Sequence, residues 1–88
     1  MSTPIRDVIT EQFHSALHDA GQPAPPAFTD DLVLLQSGLD SMGFAILITQ
    51  LEERLGYDPF TLMAEPVYPQ TFGVFVELYE RFAGQRKD

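Results

Sequence analysis

A serine beside an aspartate opens the segment that begins at Ser41, in the run Gly38-Leu39-Asp40-Ser41-Met42. Backbone N–H groups at a helix start lack intrahelical partners, and the helix dipole is positive there. A phosphate joined to, or approaching, the Ser41 hydroxyl is therefore stabilised. Asp40 adds a carboxylate that can hold a divalent cation during a phosphoryl-type transfer. The same pair also suits a plain helix cap, and local chemistry alone favours that simpler role. His14 and His18 are the other candidates, four residues apart on a helical segment. A serine nucleophile needs a base and an orienting acid. Both histidines fall off the apolar stripe of their segment, which makes them solvated surface residues. Their spacing suits a metal, but no further ligand set accompanies them. A hydrolase and a metal site are both disfavoured.

The elements that must position Ser41 follow from the apolar spacing. Ile5, Val8, Ile9, Phe13, Ala16, Leu17 and Ala20 recur at three- and four-residue steps, which predicts a helix over about 4–20. Thr3 is the expected cap, Pro4 the first helical position, and Gly21 the stop. Three prolines within Gly21–Ala27 exclude a continued helix. About 20 residues, Gly21 to Asp40, then read as a long connecting loop. Phe28, Leu32, Val33, Leu34, Leu35 and Leu39 are expected to tack it to the core, with a helical turn near 30–35. From Ser41 to about Leu55, one sector holds Phe44, Leu47, Ile48, Leu51 and Leu55, which is the predicted core face. Gly56 ends that helix. Asp58-Pro59 opens a short helix through about Glu65, ended by Pro66. Thr71 caps a last helix whose stripe is Phe72, Phe75, Val76, Tyr79, Phe82 and Ala83, closed by Gly84, and residues 85–88 read as a frayed tail. No segment alternates with period two, so no sheet is expected. The fold class is all-α: a small four-helix bundle, three longer helices and one short, with a long loop between helices 1 and 2.

Composition sets the remaining bounds. The chain has 88 residues, which makes one domain of 1–88, with an ordered core expected over about 4–84 and no deep enzymatic cleft. Thirteen acidic residues against 5 basic ones give a net charge of −8, which repels nucleic acid and anionic membranes. The acidity suits docking to basic protein surfaces, or serves solubility alone. There is no cysteine, so disulfides and thiolate metal sites are excluded. No signal-peptide pattern or membrane-length apolar run occurs, so a cytoplasmic location is expected. A monomer without stable membrane insertion is also expected.

One face of the helix after Ser41 carries a second feature. Met42 and Ile46 lie one turn apart on the side away from the predicted core, near Thr49, with Ala45 between the faces. Glu52 and Glu53 give this side an acidic border. An exposed apolar pair beside a helix terminus can mark a docking surface. Alternatively, Met42 packs under the long loop.

Leu35-Gln36-Ser37-Gly38-Leu39-Asp40-Ser41-Met42 resembles the attachment motif of acyl carrier proteins, commonly Gly-x-Asp-Ser followed by Leu or Met. Leu51-Glu52-Glu53-Arg54-Leu55-Gly56 resembles the end of that family's second helix. Tyr68-Pro69-Gln70-Thr71-Phe72 resembles the approach to its last helix. The likeness runs from about Ile5 to Phe82, in order and spacing. It implies a carrier and not an enzyme. A phosphopantetheinyl transferase would move 4′-phosphopantetheine from coenzyme A onto Ser41, with Asp40 as the adjacent acidic residue. The arm's thiol would hold an acyl group as a thioester, and a chain without cysteine must import such a thiol. Implied partners are an acyl-activating ligase, an acyltransferase or a synthase of a lipid, polysaccharide-modifying or polyketide-type pathway. The implied docking set is Met42, Ala45, Ile46, Thr49, Glu52 and Glu53. The sequence departs from the family where Gly43 and Ile46 stand in place of acidic residues, so docking here is more apolar. Leu39 is closer to acyl than to peptidyl carriers. The competing expectation is a carrier-like helical adaptor that binds a partner and carries no arm.

Overall fold

Phe13 shows how the sequence stripes become a core. The computed structural model describes residues 4–64 and 68–83 of the chain. Phe13 is fully buried on the first helix, α1 (Ile5–Asp19), and its ring meets three others edge-on. These are Phe28 of the long loop at 5.2 Å, Phe44 of α2 (Ser41–Leu55) at 5.7 Å and Phe72 of the last helix at 6.1 Å. Edge-to-face pairs at these spacings add about 0.5–1.5 kcal/mol each beyond area burial. One side chain thus joins the first helix, the crossover, the second helix and the last.

The other elements are α3 (Pro59–Leu62) and α4 (Phe72–Arg81), with a single 3₁₀ turn at Leu34–Gln36 in the crossover. Ile9, Leu17, Leu47, Leu51, Phe75, Val76 and Tyr79 complete the buried centre. Among the described residues there is no strand, and none of the helices is long and apolar enough to cross a membrane. The chain forms a small all-α bundle, as the periodicity predicts.

Several local expectations change. Pro4 occupies the cap position of α1 and not its first helical position, while Thr3 lies outside the described residues. The short helix stops at Leu62, because Met63 is already extended; Glu65 and Pro66 lie outside the described residues. The last helix ends at Arg81 with Phe82 as its cap, and Gly84 and the tail at 85–88 are also outside. Leu78 joins the buried face of α4, whereas Phe82 and Ala83 are only half-buried. In the crossover, Leu34 and Leu39 are buried and Phe28 and Leu32 pack against the core, but Val33 and Leu35 point outward. The 3₁₀ turn causes this, since it turns one residue inward and sends its neighbours out.

The crossover is tied down by backbone bonds. Leu34 N donates to Gln70 O, Phe72 N to Leu32 O, and Gly73 N to Asp30 O, at 2.9–3.0 Å. Val33 and Thr71 form an isolated antiparallel bridge. The first amides of α4 are thereby satisfied by the loop, and Val74 N donates to the Thr71 hydroxyl. An Arg6–Asp30 ion pair at 2.8 Å adds a second tie, with the Arg6 guanidinium over the Phe72 ring.

Candidate functional site at the start of α2

Gly38, with φ at +117°, turns the crossover so that Leu39 drops into the core, 3% exposed, while Asp40 and Ser41 face solvent. Asp40 is the cap of α2: its Oδ1 accepts the Gly43 amide hydrogen at 2.8 Å, and its carbonyl accepts that of Phe44. Ser41 is the first helical residue. The sequence left capping open between Asp40 and Ser41, and the geometry gives the role to Asp40. The Ser41 hydroxyl stays at the surface beside the positive end of a 15-residue helix.

Ser41 also stands at the edge of an apolar groove of about 720 Å³. Phe44, Ala45 and Ile48 of α2, Phe60 of α3 and Phe75 of α4 line it. Leu34 and Leu35 of the crossover and Tyr68, Pro69 and Gln70 ahead of α4 close its other side. This size lies within the range of small-molecule sites, and the lining side chains are apolar apart from Ser41, Gln70 and the Tyr68 hydroxyl. Sequence reasoning assigned Phe44 and Ile48 simply to the core, yet both are half-buried because they face this groove. Their spacing was the only trace, and a groove wall has the same period as a core face.

The residues expected to dock a partner share one exposed side of α2. Met42 is 72% exposed and Ile46 51%, so Met42 does not pack under the loop. Ala45, Thr49, Glu52 and Glu53 are exposed alongside them. Thr49 donates to the Ala45 carbonyl at 3.0 Å, which keeps its hydroxyl on the helix. Leu35 and Tyr68, 73% and 82% exposed, also line the groove, and neither was expected there.

The histidines lie elsewhere. His14 and His18 line a separate hollow of about 410 Å³ with Gln22 and Ala24. The His14 ring packs edge-on to Phe28 at 4.7 Å, and neither histidine lines the groove beside Ser41. No group of three metal-ligating side chains occurs among the described residues.

Neither family models, curated proteins nor solved structures give a match to this chain.

Proposed function

We propose that the chain is an acyl carrier protein, with 4′-phosphopantetheine attached at Ser41 and acyl groups held as thioesters at the end of the arm. The observation that carries this is the place of Ser41: an exposed hydroxyl at a helix start, relieved of capping by Asp40, at the mouth of an apolar groove. The helix terminus suits the phosphate, and the groove suits an apolar acyl chain. No histidine lines that groove, so the hydroxyl has no histidine base beside it for hydrolysis. The exposed face of Met42, Ala45, Ile46 and Thr49, bordered by Glu52 and Glu53, would meet the transferase and the enzymes that load and use the cargo. A cytoplasmic monomer fits this role.

The test is incubation with coenzyme A, magnesium and a broad-range phosphopantetheinyl transferase, followed by intact mass spectrometry. One added phosphopantetheinyl group is expected, and none on Ser41→Ala, whose helical circular dichroism should match the parent. A folded, initially unmodified protein that gains no mass would point instead to the adaptor role.

A further inference from the structure

His14 and His18 stand four residues apart in the second half of α1, and both line the hollow that α1 forms with Gln22 and Ala24 at the start of the crossover. Residues at that spacing lie one above the other on a helix, with Cβ atoms about 5–6 Å apart, so one ion can reach both imidazoles. By spacing alone the pair is disfavoured as a metal site. Its surroundings in the fold change that balance.

The two rings are held differently. The exposed His14 ring packs edge-on to Phe28 at 4.7 Å, and Phe28 packs in turn on Phe13 and Phe72. One ligand is therefore braced from the core, which lowers the entropy lost in binding. The His18 side chain is 91% exposed and meets Asp19 only loosely, at 3.8 Å, which leaves room for a change of rotamer. His18 lies in the last turn of α1, where the negative end of the helix dipole favours a cation. No lysine or arginine is among the residues that line the hollow, and the net charge of −8 draws cations to the chain. No carboxylate lines it either, so a hard cation that needs oxygen ligands is not matched. Ser15 and Gln22 add neutral polar side chains that can hydrogen-bond water held on an ion.

We propose that His14 and His18 together chelate a divalent transition-metal ion in this hollow, with water in its remaining positions. Among the described residues no His, Cys, Asp or Glu joins the pair to make three ligands, so this is an open two-histidine site and not a closed zinc cage. Imidazole suits Cu²⁺, Ni²⁺ and Zn²⁺, and the general order of affinities puts Cu²⁺ first. Mg²⁺ prefers oxygen and gives up water reluctantly, so it does not compete. The site is separate from the groove beside Ser41, which neither histidine lines.

The experiment titrates the unmodified protein with CuCl₂, ZnCl₂ or MgCl₂ in a non-coordinating buffer, read by calorimetry and by thermal melts. A single saturable site per chain is expected, tighter for Cu²⁺ than for Zn²⁺ and absent for Mg²⁺. The folded helix holds both ligands in register, so Cu²⁺ and Zn²⁺ should raise the melting temperature with concentration. Losing a partner behind a metal ligand costs roughly 10–100-fold in affinity, so losing a ligand should cost at least about tenfold. His14→Gln and His18→Gln should each weaken Cu²⁺ binding by that much, and the double variant should lose little more, because a chelate needs both rings. His18→Gln, at an exposed position, carries the test if His14→Gln loosens the packing on Phe28. Absence of saturable Cu²⁺ binding, parent affinity in His18→Gln, or two independent losses that simply add would each overturn the chelate.

Discussion

The Asp40 carboxylate holds the Gly43 amide at 2.8 Å, and in doing so frees the adjacent Ser41 hydroxyl. Two roles of Asp40 can be separated on this bond. Asp40→Ala removes the cap and should cost about 1 kcal/mol, visible as a lower urea midpoint. Asp40→Asn keeps an oxygen for Gly43 and should leave stability nearly unchanged. If the carboxylate also serves the transfer of the arm, both variants should modify more slowly than the parent in a mass-spectrometric time course. Equal rates in parent and Asp40→Asn would restrict Asp40 to capping.

The side of α2 that carries Ile46 predicts a split between binding and stability. Ile46 is half in solvent and Met42 more so, and substitutions at such positions typically change stability by less than about 0.5 kcal/mol. Ile46→Glu should leave the melting temperature within a few degrees of the parent while slowing modification by the transferase. Leu47, its fully buried neighbour, supplies the contrast. Leu47→Ala should cost about 2–5 kcal/mol. A large thermal loss in Ile46→Glu would place Ile46 in the packing.

How much of this was legible in the sequence depends on the kind of contact. The faces of α1, α2 and α4 follow from spacing, and Phe13, Leu47, Leu51, Phe72 and Phe75 lie where the period places them. Asp58 and Thr71 cap their helices through side chains of the expected type. The ties of Asp30 and Leu32 to Gly73 and Phe72 were not legible. They are backbone bonds between segments 40 or more residues apart, and such pairing leaves no periodic trace in either segment. Leu35 illustrates the consequence. In a run of four apolar residues, nothing local says which faces inward, and the 3₁₀ turn decides it. The same gap hid the groove, whose walls come from five separate parts of the chain.

Tyr79 predicts a pH dependence. Its folded pKa is raised, mainly by burial, above the unfolded value of about 10. The native state therefore holds this proton where the unfolded chain releases it, and stability falls as pH rises. The contribution is fully present below about pH 10 and is lost progressively above it. Tyr79→Phe should flatten this alkaline decline in a series of urea melts, and at pH 7 it should be as stable as the parent or more so, since the hydroxyl it removes has no hydrogen-bond partner among the described residues. Identical alkaline slopes in the two proteins would show that Tyr79 does not hold its proton more tightly when folded.

Gly38 is the residue on which the presentation of Ser41 turns. Its φ of +117° lies outside the conformations other residues adopt readily, and an added Cβ would stand 2.9 Å from Leu17 Cδ2 and 3.3 Å from Gln22 Cβ. Leu17 is fully buried, so its methyl group has little room to retreat. Gly38→Ala should therefore combine backbone strain with overpacking and cost on the order of 2 kcal/mol. Gly21 is the matched control: its φ is +72°, but no atom lies within 4 Å of an added Cβ. Gly21→Ala should show the backbone cost alone, about 1–2 kcal/mol. Because Gly38 aims Leu39 inward and Asp40 and Ser41 outward, its substitution should also slow modification of Ser41, whereas Gly21→Ala should not. Urea melts and a mass-spectrometric time course on both variants test this directly, and parallel losses of rate would mean that stability, not the turn at Gly38, governs access to Ser41.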